Sequence, residues 1–229
     1  YGCTNPSAQN YDPLADTDTN PTSCTYLASD ILGCTDPTAI NYDPAATCDD
    51  GSCAHLGDYT HIPDVNFRQA IVNDGHSVTW LNNDIASEYV LTSTISNITN
   101  LNVGNANIGD LTGIEDFTDL IDLNFWGNQV TTLDLSDNIY LTSLRCYSNQ
   151  LTSLVISNNT ALIYLNCNVN QLTNLDVSNN TVLANLLCYN NNLATLNVNN
   201  NIAITYLNCS ENNLEVLDIS NNIALTYLE

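Results

Sequence analysis

The sequence has no lysine and no methionine, and its only basic side chains are Arg68 and Arg145, against 25 aspartates and glutamates. The formal charge of −23 repels phosphate backbones and anionic headgroups, which excludes nucleic acid and a bare membrane surface as partners. It suits divalent cations, or salty surroundings that screen self-repulsion over about 8 Å; solubility in such surroundings is the plainer reading. No apolar run reaches the roughly 18 residues of a spanning helix, so no membrane insertion is expected. Neither an initiator Met nor a basic-then-apolar leader precedes Tyr1, as expected of a processed chain or an excised fragment. Catalytic signatures are missing as well: there is no G-x-S-x-G, H-E-x-x-H, C-x-x-C or phosphate-binding Gly-rich loop. His55, His61 and His76 stand beside no nucleophile motif, and nothing in a surface loop would keep one of the neighbouring Asp49 and Asp50 protonated. The expectation is that the chain is not an enzyme.

Nine cysteines are present, in two arrangements. Five belong to a duplicated unit: GCTNPSAQNYDPLADTDTNPTSC spans Gly2 to Cys24, and GCTDPTAINYDPAATCDDGSC spans Gly33 to Cys53. Neither unit has helix or strand periodicity, and each is too short to bury a core, so both need staples. Duplication makes Cys3–Cys24 and Cys34–Cys53 the simplest pairing, although four cysteines allow three connectivities. Each bridge is expected to contribute roughly 3 kcal/mol and implies an oxidising, secreted or cell-surface setting. Cys48 has no counterpart in the first unit; it is either unbridged or a competitor for Cys53. The units also gather oxygen ligands suited to Ca²⁺: Asp12, Asp16, Asp18 and Asn20 in the first, Asp36, Asp43, Asp49 and Asp50 in the second. No glutamate completes an EF-hand, and the alternative is a set of Asx turns without metal. The repeated GCT-x-P-x-A-x-NYDP and the DDGSC ending resemble short modules of secreted bacterial surface proteins, often likened to thrombospondin type 3 calcium repeats. The first unit departs from that pattern in its DTDTNPTSC ending.

From Leu120 onward the sequence repeats every 21 residues, with turns opening at Leu120, Leu141, Leu162, Leu183, Ile204 and Leu225. Such a period means a solenoid. Each turn reads L-x-x-L-x-(C/F)-x-x-N-x-(L/V)-x-x-L-x-(V/I/L)-x-x-N-x-x, two similar halves that each end in Asn. Alternation at Leu165-Asn-Cys167 and again at Leu175-Asp-Val177 predicts a flattened coil with short parallel strands on both sides. Two asparagine columns, Asn128 to Asn212 and Asn138 to Asn222, are expected to line the corners and satisfy unpaired backbone groups. Cys146, Cys167, Cys188 and Cys209 share a column with Phe125, which marks the slot as apolar; adjacent strands about 4.8 Å apart hold thiols too far apart for a bridge. A straight ladder offers Zn²⁺ no tetrahedron, so four inert thiols are expected.

The repeat resembles the leucine-rich repeats of bacterial surface proteins, specifically the 21-residue class with nested halves (the IRREKO type), and the upstream IPDVNFRQAIVNDG resembles the N-terminal cap of such proteins. Within it, Asp64 is placed to N-cap a helix, Phe67, Ala70 and Ile71 share one face, and Gly75 ends it. The expected organisation is a first module over 1–25, a linker over 26–32, a second module over 33–54, a linker over 55–60, a cap with irregular first turns over 61–119, with Leu101 and Val103 in the first strand, and the repeats over 120–229. The fold class is therefore a mainly β leucine-rich repeat solenoid behind two small disulfide-stapled modules. No C-terminal cap is visible, so the expectation is that either the native protein continues beyond Glu229 or that end pairs with another copy.

With catalysis unsupported, the exposed surface carries the functional expectation. Trp126, Arg145, Tyr147, Asn168 and Tyr189 flank the inward Phe/Cys column and are the candidate contacts for a protein or glycan; the alternative is that the rings only cover neighbouring turns. Tyr164, Tyr206 and Tyr227 are expected near a corner, and Asp134, Asp176 and Asp218 on a solvated face. The expected function is a secreted or cell-surface binding or adhesion module, with the N-terminal units as a spacer stiffened by Ca²⁺ if the carboxylates bind it. The alternative is a self-assembling structural protein stacking copies end to end.

Overall fold

The computed structural model describes residues 8, 9, 11, 13, 14, 25, 27 and 29–229. Cys3, Cys24, Asp12, Asp16, Asp18 and Asn20 lie outside the described residues, so the expected Cys3–Cys24 bridge and the first group of calcium ligands do too. The chain divides into two compact units, Tyr1–Tyr59 and Thr60–Glu229.

In the first unit, strands β1 (Leu32–Gly33) and β2 (Cys48–Asp49) pair in parallel. A disulfide joins Cys34 to Cys53, so Cys48, which is buried, does not take its place. The Asn41 amide closes the module by donating to Ser52 O and accepting from Ala54 N. Strand β3 (Tyr59–His61) follows at the boundary.

The second unit opens with its one α-helix, α1 (Val65–Asn73). Asp64 Oδ1 caps it by accepting from Asn66 N and Phe67 N, while its Oδ2 accepts from Gly109 N and Asp110 N. One carboxylate thus starts the helix and ties it to the first loop of the coil. Phe67, Ala70 and Ile71 are buried as the pattern demands. Arg68 is buried too, its Nη1 donating to Ile62 O and Pro63 O, a role its charge alone would not suggest. Strand β4 (Tyr89–Leu91) pairs with β3.

The coil then runs through β5 (Asn100–Asn102), β6 (Asp122–Asn124), β7 (Thr132–Asp134), β8 (Ser143–Arg145), β9 (Ser153–Val155), β10 (Tyr164–Asn166), β11 (Asn185–Leu187), β12 (Tyr206–Asn208) and β13 (Tyr227–Leu228). One parallel sheet of seven strands, in the order β13-β12-β11-β10-β8-β6-β5, forms the first side. Its register matches Leu144 to Leu165 to Leu186 to Leu207, each step being the repeat. The second side is less regular: only β7 and β9 pair there, while the Leu175–Val177 segment has no strand pairing. Its side chains still point inward. Leu162, Leu165, Cys167, Leu172, Leu175 and Val177 of one turn are all 4% exposed or less. Each large apolar side chain contributes roughly 1.5–3 kcal/mol relative to exposure, and stacking turns merges them into one continuous core.

The corners depend on asparagine. Asn170 Nδ2 donates to Cys146 O and Cys167 O, and its Oδ1 accepts from Leu151 N; Asn149 and Asn191 repeat the pattern one turn away. At the other corner Asn180 donates to Ile156 O and Asn159 O, and Asn201 to Val177 O and Asn180 O, so each amide reaches the backbone of the asparagine before it. A third, exposed column was not expected: Asn158, Asn179, Asn200 and Asn221 donate to Ser136 O, Ser157 O, Ser178 O and Asn199 O. One residue before the first ladder, the backbone is left-handed at every turn: Gly127, Ser148, Val169, Asn190 and Glu211. Val169 holds φ at 51°, a conformation β-branched residues resist.

Inside the coil, Cys146, Cys167 and Cys188 are fully buried and form no disulfide. Burial pushes all three thiols well above their usual range, and for Cys167 and Cys188 neighbouring thiols add to the shift. Cys209, in the last complete turn, is shifted upward by burial as well.

Two outcomes are expected. In urea unfolding, Asn170→Ala lowers stability by about 3 kcal/mol, because buried backbone groups lose their partners at about 1–3 kcal/mol each; Val169→Asn raises it by about 1 kcal/mol, because Asn accepts the left-handed backbone. Maleimide labelling at neutral pH followed by mass spectrometry leaves Cys146, Cys167 and Cys188 unmodified until denaturant is added.

Candidate functional site

The outward face of the seven-stranded sheet is built in columns. Register aligns Asp122, Ser143, Tyr164, Asn185, Tyr206 and Tyr227 in one, and Asn124, Arg145, Asn166, Leu187 and Asn208 in the next. A third column continues just past the strand ends. There Gly127 N bonds Tyr147 O, Ser148 N bonds Asn168 O and Val169 N bonds Tyr189 O, which keeps Trp126, Tyr147, Asn168 and Tyr189 in step. The tyrosines at 164, 206 and 227 therefore belong to the strands themselves, where side chains alternate in and out, and not to a corner.

Of the candidate contacts, the structure brings Trp126 and Tyr147 together as a stack, with ring centroids 5.7 Å apart and planes inclined by 10°. Both are half-buried. Trp126 also lies over Gly104, where a Cβ would fall 2.3 Å from its Nε1. Gly104 was not among the expected residues; its signal was that it stands in the first coil where Trp126 stands in the second. Arg145 is held by Asp122, whose two oxygens lie 2.9 and 3.0 Å from Nη1, and its guanidinium sits 5.1 Å from the centre of the Tyr164 ring. Such a half-exposed ion pair contributes about 0–1 kcal/mol, so its main effect is to orient the guanidinium. Asn168 is only 5% exposed, which removes it from the contact set: a short amide between Tyr147 and Tyr189 in the column does not reach the surface. Tyr189 is half-buried, and Tyr206 stacks on Tyr227 at 4.3 Å.

On the opposite side Asp134, Asp176 and Asp218 are exposed, and each accepts from the backbone N two residues on, at Ser136, Ser178 and Ser220. Hydrogen bonds from Ser178 and Ser220 hold the Asp176 and Asp218 carboxyls below their ordinary range. The carboxylates of the second cysteine module follow the same local rule. Asp36, Asp43, Asp49 and Asp50 accept from the backbone N of Thr38, Ala45, Gly51 and Ser52, the Asx turns that compete with metal binding. Among the described residues no group of three or more His, Cys, Asp or Glu converges as a metal site.

Each histidine faces an acid: His55 and Asp36 at 3.6 Å, His61 and Glu88 at 3.1 Å, His76 and Asp74 at 3.1 Å. No helix among the described residues is long and apolar enough to cross a membrane. What the sheet face can do is bind: it offers rings, one oriented cation and amides on a stiff backbone.

The chain matches no protein-family model and no curated protein. Among solved structures it is similar to an internalin, InlF, of Listeria monocytogenes, at 27% identity over 73% of this chain and 49% of that one, with a TM-score of 0.64. A leucine-rich repeat protein of Leptospira interrogans matches at 21% identity over 60% and 38% of the two chains, with a TM-score of 0.54. The functional domain of InlJ from Listeria monocytogenes, which includes a cysteine ladder, matches at 28% identity over 74% and 51%, with a TM-score of 0.41. This chain thus spans about half the length of these structures or less. The fold is that of bacterial leucine-rich repeat proteins.

Gly104→Ala is expected to push the indole off its seat. Trp126 is one of two tryptophans and the other, Trp80, is buried, so the emission spectrum shifts to the red while the far-UV circular dichroism is unchanged.

Proposed function

We propose that this leucine-rich repeat chain is a non-catalytic recognition module of a bacterial secreted or cell-surface protein, and that the outward face of its seven-stranded sheet meets a protein partner. The observation that carries this reading is the pre-set face itself. Trp126 is stacked on Tyr147, and Arg145 is fixed between Asp122 and Tyr164, so little side-chain freedom is left to lose on binding. Aromatic and arginine side chains on a rigid support are also the residues that dominate protein interfaces. The likeness to an internalin supports an interaction role, and the Cys34–Cys53 bridge supports an oxidising compartment. In this reading the cysteine modules serve as a spacer, and the 21-residue period with nested halves supports assigning the coil to the IRREKO type. A partner carrying a basic patch is favoured by the charge of −23.

The test is binding to an array of purified extracellular proteins, followed by titration of each positive with Tyr147→Ala and Arg145→Ala. Each variant is expected to weaken binding about tenfold or more with an unchanged melting temperature. Unchanged affinity in both would rule out the sheet face. Sedimentation velocity at rising concentration checks the competing reading: reversible growth into long assemblies would favour self-association.

A further inference from the structure

Between α1 and the end of β5 with the turn that follows it, where the cap meets the coil, lies a groove of about 410 Å³. That is within the roughly 300–1,000 Å³ of small-ligand pockets. Its walls are carboxamides and one carboxylate: Asn66, Gln69 and Asn73 from the helix, Asp74 at its end, Asn102 and Asn105 from the first coil. Gly104 and Ala106, with the buried Ala70 and Val103, complete the lining. We propose that this groove binds a neutral saccharide.

The walls are braced before any ligand arrives. Asn66 Nδ2 donates to Asn107 O at 2.9 Å, and Gln69 Nε2 to Asn73 Oδ1 at 2.9 Å. Asp74 Oδ2 accepts from Asn102 N at 2.8 Å, a clasp between the helix end and the first strand, and Asn102 Oδ1 accepts from Gly104 N at 3.4 Å. Each of these bonds occupies one polar atom of its group. Asn66 Oδ1, Gln69 Oε1 and Asp74 Oδ1 remain as acceptors, and Asn73 Nδ2 and Asn102 Nδ2 as donors. Sugar hydroxyls both donate and accept, so neighbouring pairs of them match such a mixed fringe of amide and carboxylate atoms.

Other ligand classes fit less well. The groove contains no cation and sits on a chain of charge −23, which disfavours phosphates, sulfates and acidic sugars. Its single carboxylate is already engaged by Asn102 and His76, too little for a metal ion. A purely apolar ligand would leave the amides without partners. A second depression, of about 280 Å³, shares Asp74 and Asn102 and continues past Asn124 toward Arg145, giving a longer saccharide room to extend. The groove itself is lined by none of the sheet-face contacts proposed above, and only its extension reaches Arg145.

Calorimetric titration of the whole chain with chitobiose, cellobiose, lactose and mannobiose tests the assignment. At least one is expected to saturate with a Kd of about 1 mM or tighter. Gln69→Ala removes a wall amide from an exposed helix position, and Asn105→Gly removes another without straining its left-handed backbone, at φ 53°. Each is expected to weaken that binding about tenfold at an unchanged melting temperature. Tyr147→Ala, which alters the sheet-face stack, is expected to leave it unaltered. The assignment is overturned if none of the four binds at about 10 mM, or if binding survives both groove variants. It is overturned equally if Tyr147→Ala abolishes the binding, or if trialanine binds the groove more tightly than every sugar.

Discussion

A flattened coil that reverses direction every ten or eleven residues must bend its backbone inside the protein, where a bent peptide group has no strand beside it and no water to bond. Here the asparagine side chains supply the missing partners. The first ladder both donates to carbonyls on two successive turns and accepts from a backbone N–H; the second passes from one asparagine's carbonyl to the next asparagine's amide. Each turn is therefore bonded to its neighbours at both ends as well as along the sheet. That is why a left-handed corner persists at Val169, where the side chain disfavours it: the adjacent Asn170 holds the two preceding carbonyls, of Cys167 and Asn168, in place.

Once the corners are secure, the interior needs only apolar bulk at fixed intervals. A phenylalanine and four cysteines occupy one column because the slot selects for buried apolar character. The same chain holds a disulfide in its first unit and unbridged thiols in its second. The difference is geometric: Cys34 and Cys53 approach to a Cα separation of 4.6 Å across a loop, whereas the column thiols stand on parallel, in-register strands.

The rigid interior leaves recognition to side chains that have been ordered in advance. Columns on a parallel sheet bring residues 21 positions apart into contact, which is how Trp126 comes to lie on Tyr147; Asp122, in register with Ser143, reaches Arg145 across to the next column. At the cap end the repeat breaks. Gly104 replaces a ring, and Asp74 spans from the helix to the first strand; a groove opens beside them. The sheet face and this groove have different chemistry, rings with a cation in one and amides in the other, as expected of surfaces that meet different ligands.

Much of this was legible in the residues alone. Periodicity at 21 places the leucines inward and the asparagines at corners, because burial and backbone satisfaction recur with each turn. Asp64, Phe67, Ala70 and Ile71 announce the cap helix by the same local logic. What the sequence could not determine were features that arise between turns. The third asparagine column, the left-handed corners at Ser148, Val169 and Glu211, the burial of Asn168 and the seat of Trp126 on Gly104 all depend on which residue lies on the neighbouring coil. Local pattern decided which side chains face the core. Only stacking decided what the outward ones touch, because contact there is made with residues a full turn away in the chain.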